Sequence, residues 1–353
     1  MSTVYYTKDL NNVAAIFSAA GFDKIISSQD FVALKIHFGE KGNQAFLKPD
    51  RVKPIVKKVR EAQGRPFWTD SNTLYKGSRS DTLVHLQTAF DHGFTFGKTG
   101  AHVLIADGLE GKNQNKLKVN FKHFKELYFG ALALEADTLI SIAHFKGHEV
   151  AGFGGAIKNI SMGLASRAGK QQMHADIKPL VDAAKCTACG KCLKWCPVDA
   201  ISWSPSKKAL IDSQKCIGCA ECVATCRFGA IAVCWEGETD VVQKKMVEYA
   251  AGLKQHFKEK MGFINFVCDV SEQCDCYPFN SEPIVPDIGI LASSDPVALD
   301  QACADLVNQT AGRVKDQDKF KSLHPTVDWE VQLKYAEEIE LGKREYKING
   351  APF

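Results

Sequence analysis

The chain has 353 residues, 45% of them hydrophobic and 24% charged, with a formal net charge of +3. That length suits about two domains of ordinary globular composition, and the small charge excludes the basic excess of a nucleic-acid-binding protein. The longest apolar stretch, FGALALEADTLISIAHF, is broken by Glu135 and Asp137, and the opening residues lack the pattern of a secretory signal, so neither a membrane span nor export is expected.

In chain order, DFVALKIHF (30–38) is a short run rich in apolar and β-branched residues, bounded by polar residues and Gly39. It reads as a strand, as do RPFWTDS, AHVLIADG and DTLISIAHF. Between them, KPDRVKPIVKKVREAQG places Val52, Ile55, Val56 and Val59 on one helical face and stops at Gly64; SRSDTLVHLQTAFDHG starts with capping residues and ends at Gly93. Strands alternating with helices predict an α/β fold with a mainly parallel sheet flanked by helices. The basic run from Lys112 to Lys125 reads as a solvated face, or as a surface for an acidic electron carrier.

Residues 185–234 interrupt this alternation. KCTACGKCLKWCPVDAI and KCIGCAECVATCRFGAI repeat at a period of thirty residues. Cys186, Cys189, Cys192 and Cys196 follow C-x2-C-x2-C-x3-C with Pro197 after them, and Cys216, Cys219, Cys222 and Cys226 repeat the spacing. Soft thiolates at such spacing suit iron–sulfur clusters rather than zinc. In two-cluster ferredoxins the fourth cysteine of each run serves the other cluster. One [4Fe-4S] cluster is therefore expected on Cys186, Cys189, Cys192 and Cys226, and a second on Cys216, Cys219, Cys222 and Cys196. The segment resembles the bacterial dicluster ferredoxins, with Arg227 where that family usually has proline. Thirteen cysteines, eight of them at cluster spacing, favour a reducing cytoplasm. The strand pattern resumes with GFINFVCDV and DIGILAS after a helical stretch, TDVVQKKMVEYAAGLKQHFKEK. The expected organisation is a discontinuous α/β domain (1–184 and 235–353) carrying an α+β dicluster ferredoxin-like insert (185–234), placed at a surface loop where insertions are tolerated.

Chemistry fed by such an insert is sought at the strand ends. LKIHFGEKGN offers Lys35, His37 and Glu40; HFKGHEVAGFGGAIKN offers His144, Lys146, His148, Lys158 and Asn159. The glycine pattern fits neither a dinucleotide nor a triphosphate loop. It reads instead as a helix start whose backbone N–H groups, with Lys158, Arg167 and Lys170, make an anion site. His144 and His148 lack a third partner for a metal. In CDVSEQCDCYPFN, Cys274 and Cys276 are candidates for metal binding, a redox pair or a proton-donating thiol. A disulfide between residues only two apart closes a strained ring and ranks last. Asp295 is expected to cap the helix that starts at Pro296.

Together, HFKGHEVAGFGGAIKNISMGLASRAGK, the insert, and CDCYP followed by PIVPDIGILASSDPVALDQA resemble the uncharacterised iron–sulfur-center proteins of the domain-of-unknown-function 362 family over most of the chain. The resemblance implies architecture and functional segments but no substrate. The expectation is an oxidoreductase linked to a ferredoxin-like redox partner. It would pass electrons through two clusters to a small anionic ligand held by Lys35, Lys146, Lys158, Asn159 and Arg167, with His37, His144 or His148 supplying protons. The alternative is a non-catalytic electron carrier, or a factor delivering electrons or metal to another enzyme.

Overall fold

The computed structural model describes residues 1–75, 77–174, 179–196, 198–216, 222, 225, 226, 228–232 and 239–350. Cys219, Cys234, Pro197 and Arg227 lie outside the described residues. The strands are β1 (Ser2–Thr7), β2 (Phe31–Ile36), β3 (Arg65–Asp70), β4 (His102–Ile105), β5 (Gln114–Lys118), β6 (Glu126–Gly130), β7 (Thr138–His144) and β8 (Lys146–His148). They continue with β9 (Gly152–Gly154), β10 (Leu180–Val181), β11 (Ile201–Trp203), β12 (Ala209–Ile211), β13 (Ile231–Ala232), β14 (Met261–Val267), β15 (Gly289–Ser293) and β16 (Tyr346–Asn349).

Eight of them form the main sheet in the order β16-β1-β15-β14-β7-β2-β3-β4. From β14 to β4 every neighbouring pair is parallel, whereas β15 runs antiparallel to both β14 and β1. The sheet is thus parallel through its centre and mixed at one end. Both faces are covered, which is why β7 and β14 are buried along their whole length. Side chains alternate between two cores. Val32, Leu34 and Ile36 pack with Val52, Ile55, Val56 and Val59 of the helix Pro49–Glu61. Ala33 and Leu139 face the helix Ala156–Leu164 and its Ile157, Ile160 and Leu164. Lys35 shares the face of Ala33, so its charge points into the second layer.

The cysteine-rich lobe contains two small antiparallel pairs, β10–β13 and β11–β12. Leu180 and Val181, ahead of Lys185, join it through the pairing of β10 with β13. Its backbone contacts repeat with the thirty-residue period of the sequence. Asp182 N donates to Ala230 O and Asp212 N to Ala200 O; Cys186 N donates to Asp182 O and Cys216 N to Asp212 O. The start of each repeat therefore closes on the end of the other. The lobe's core is built from Cys186, Cys192, Cys222, Ile201, Ala209, Ala230 and Ile231, with Cys196 and Cys226 packed against it.

Among the described residues no helix is long and apolar enough to cross a membrane.

Candidate functional site: a thiol-lined cavity at the strand ends

The parallel strands β2, β3, β7 and β14 point their carboxyl ends the same way, and a cavity of about 670 Å³ opens beyond them. This is where an open α/β sheet leaves room for a ligand. Lys35, His37, His144, Lys146, His148, Lys158, Asn159, Cys274 and Cys276 all line it. The structure brings together the two segments after β2 and β7 and the cysteine loop after β14.

Asp275, between the two cysteines, anchors that loop. Its carboxylate lies 2.9 Å from His144 Nδ1 and accepts from Lys146 Nζ at 2.9 Å. His144 Nε2 meets the Cys268 carbonyl at 2.7 Å, so both nitrogens of His144 are engaged. Burial alone would raise the Asp275 pKa, but His144 and then Lys146 outweigh it and hold the carboxyl well below its usual range. With Asp275 turned toward β7, its neighbours turn into the cavity.

There Cys274 Sγ lies 2.9 Å from Cys276 Sγ, and Cys276 Sγ lies 3.4 Å from His37 Nε2. Lys158 Nζ reaches Cys274 Sγ at 3.4 Å. The Tyr75 hydroxyl accepts from Arg79 at 3.0 Å, and burial followed by the charge of Cys276 raises its pKa well above the ordinary value. The Cys274 thiol, despite burial, together with Lys158 and His37, holds Cys276 well below the ordinary thiol pKa, while Cys274 is held well above it. The two sulfurs are thus biased apart, Cys276 toward thiolate and Cys274 toward thiol. Burial opposes charge on Lys158, but Cys274 and Cys276 outweigh that and keep it an ammonium.

The ligand atoms of His37, Cys274 and Cys276 fall within 4.8 Å of one another, close enough to share a metal ion. The His37 ring is nevertheless set the wrong way. Its Nδ1 accepts from Gly39 N–H at 3.0 Å, which leaves the proton on Nε2, facing the thiolate. A ligating histidine normally donates from its second nitrogen to an acceptor.

His148 Nδ1 likewise accepts, from the amides of Val150 and Ala151. Burial, helped by Lys158, pushes its pKa down to about 4. His148 is therefore a neutral hydrogen-bond donor rather than an acid in the neutral range.

Lys35 is buried and ion-paired to Asp70 at 3.1 Å, and its Nζ donates to Asn159 Oδ1 at 2.9 Å. Asn159 Nδ2 ties back to Ser141 Oγ at 2.9 Å. Both side chains are engaged within the fold. Gly163 is required here: a Cβ would sit 2.4 Å from Lys35 Cε. Burial raises the Asp70 pKa, but Lys35, His85, His37 and Arg79 bring it to about 2. Arg79 Nε pairs with Glu40 at 3.1 Å. Among the described residues, Lys158 and Lys170 line the cavity with no carboxylate at ion-pairing distance; burial lowers the Lys170 pKa to about 8.

Two expectations change. The helix start after GFGG is already filled, because Asp300 Oδ1 and Oδ2 accept from Ala156 N at 2.7 Å and Ile157 N at 3.0 Å. Gly155 is needed for that approach, since a Cβ there would meet Asp300 Oδ1 at 2.2 Å. Arg167 points away from the cavity, donating to the carbonyls of Thr73 and Ser80 and bracing the loop that carries Tyr75 and Arg79. Asp295 caps its helix as expected, accepting from Val297 N and Ala298 N.

Asp70, Tyr75, Arg79, His174 and Asp275 were not among the sequence candidates, whereas Lys170, expected at an anion site, lines the cavity. The strand-end rule that selects Lys35 would also have selected Asp70, the last residue of β3. Tyr75 and Arg79 sit in an irregular loop with no periodic signal.

In the lobe, Cys186, Cys189, Cys192 and Cys226 surround one small cavity, to which Cys196 does not contribute. The cross-closure of the two repeats delivers Cys226 to the first run. Backbone amides point at the sulfurs: Ala209 N to Cys186 at 3.5 Å, Ala200 N to Cys196 at 3.2 Å and Ala230 N to Cys226 at 3.3 Å. The basic run forms the hairpin β5–β6 and its flanks, where Lys112 lies over the Trp195 ring at 3.9 Å. In the chain, His174 precedes the lobe, and Val242 and Gln243 lie in the first turns of the helix that follows it; all three line the large cavity.

No curated protein matches the chain. Several solved structures resemble it, two of them as follows. One is the lactate racemase apoprotein from Thermoanaerobacterium thermosaccharolyticum, at 15% identity and a TM-score of 0.41, covering 87% of this chain and 57% of that one. The other is a Thermotoga maritima protein from structural genomics, at 9% identity and a TM-score of 0.44, covering 86% and 61%. The chain thus spans less than two thirds of the length of either. Residues 32–305 match the family model described as a domain of unknown function, DUF362, and the chain belongs to that family.

Proposed function

We propose that the protein is an iron–sulfur oxidoreductase in which the cysteine-rich lobe supplies electrons to a small molecule held in the cavity at the strand ends. The observation that supports this reading is that His174, Val242 and Gln243, which flank the lobe in the chain, all line the cavity. Iron–sulfur clusters, when bound, would carry single electrons. The residues to hold them are the eight repeat cysteines, and the Cys186–Cys189–Cys192–Cys226 grouping with its amide-to-sulfur hydrogen bonds suits that role.

The chain's own part is to bind, orient and protonate. Lys158 and Lys170 would meet a negatively charged group on the ligand, since Lys35 and Lys146 are neutralised by Asp70 and Asp275. Proton supply falls to the Cys274 thiol and the Tyr75 hydroxyl, because His144 is engaged at both nitrogens and His148 is neutral. An electron-donating partner would dock on the lobe, whose Trp203, Leu210 and Phe228 are exposed.

Anaerobic purification with iron, sulfide and small-molecule analysis tests the proposal. About eight irons per chain and a co-purifying organic anion are expected. A chain without iron would overturn it. A full iron complement with no ligand, in a stable complex with another protein, would favour the electron carrier.

A further inference from the structure

We propose that Cys274 and Cys276 are a redox-active pair that cycles between thiol–thiolate and an intrachain disulfide, and that the cavity reacts with small anionic disulfides. The inference rests on the electron-delivery reading for its return step alone.

Geometry carries it. The ion pairs of Asp275 with His144 and Lys146 pull the middle residue of the loop outward and turn both flanking sulfurs inward, 2.9 Å apart. Cys276 faces two donors, the Cys274 thiol and His37 Nε2–H. That is the environment of an attacking thiolate. Cys274, in contact with it, is placed to resolve a mixed disulfide. Two features argue against a metal instead. His37 presents a proton rather than a lone pair to the sulfurs, and the Lys158 ammonium already stands 3.4 Å from Cys274 Sγ.

In the oxidative half, the Cys276 thiolate attacks one sulfur of the substrate disulfide and expels a thiolate. That thiolate takes the proton of Cys274. The resulting Cys274 thiolate attacks Cys276 Sγ, forming the intrachain bond and expelling the second substrate thiolate. The pair has then lost two electrons and one proton. In the return half, the intrachain bond takes up two electrons, one at a time from an iron–sulfur carrier, and one proton. The small ring closed by residues two apart, which ranked the disulfide last in the sequence, makes the bond easily reduced and suits it to turnover.

The test uses the anaerobically purified, iron-loaded full chain treated with oxidised glutathione, followed by iodoacetamide and mass mapping of the peptide around Asp275. Loss of two hydrogens and of labelling at both cysteines is expected. Cys274→Ser should instead trap a glutathione adduct on Cys276, and Cys276→Ser should trap none. Two free, alkylatable thiols after treatment would overturn the proposal, as would a transition metal that shields both thiols and is lost in Cys276→Ser. A second arm separates the two readings. In Cys226→Ser the disulfide should still form, but its re-reduction by dithionite should slow. Equal re-reduction rates would leave the pair standing and remove the lobe as its electron source.

Discussion

Lys146 Nζ donates to Asp275 Oδ2 at 2.9 Å, and both groups are buried. The contact joins the start of the β7–β9 loop system to the cysteine loop after β14. Removing one partner of a buried pair leaves the other charge without compensation, at a cost of about 3–5 kcal/mol. Asp275→Ala should lower the melting temperature strongly, and Lys146→Met should do the same. Unchanged melting in both would show that the loop is anchored elsewhere.

Lys158 stands beside the thiol pair. With its cation in place, Cys276 is a thiolate through the neutral range, so its alkylation rate should be flat there. Lys158→Met removes a group that lowers the Cys276 pKa. The rate should then fall at neutral pH and climb as pH rises, about tenfold per unit of pKa shift. Iodoacetamide labelling across pH reads this directly.

Burial holds His85, His148 and His174 neutral, with pKa values near about 3, about 4 and about 3. Each lies below the unfolded value of about 6.5. The unfolded state therefore binds more protons, and stability is complete above about pH 6.5 and lost as pH falls toward the folded values. Asp70, at about 2, adds a further loss below about pH 4. Thermal melts against pH should show this acid slope. His148→Gln should flatten the portion between about 6.5 and about 4.

Asp300 satisfies the first amides of the helix Ala156–Leu164 and accepts from Asn265 Nδ2 at 2.7 Å. Asp300→Ala strands these buried donors, at about 1–3 kcal/mol for each such group. A lower melting temperature with the thiol chemistry of Cys276 retained would mark Asp300 as a structural cap. Loss of that chemistry without a change in melting would contradict it.

The central strands were legible as short apolar, β-branched runs bounded by polar residues, and the helix Pro49–Glu61 by its 3.6-residue period. The edge strand β16 and its neighbour β1 were not, since STVYYT and YKIN are short and acquire strand character from pairing across the chain ends. Within the site, the strand-end rule found Lys35, His37, His144, Lys146 and the two cysteines. It could not reveal that Lys35 and Lys146 are neutralised, because Asp70 and Asp275 are distant in sequence and meet them only when the parallel strands align. The glycine-rich helix start looked open to a ligand for the same reason: its anion, Asp300, arrives from much later in the chain. The thirty-residue repeat announced the lobe, while the place of its flanking residues His174, Val242 and Gln243 in the cavity lining is visible only in three dimensions.

Every strand of the main sheet lies outside the lobe, and His174 and Val242, which flank it in the chain, both line the cavity. The framework of the cavity is thus complete without the lobe. A linker in place of the lobe would leave a scaffold with its cysteine pair intact. Such a scaffold could carry a different inserted module at the same point of the chain.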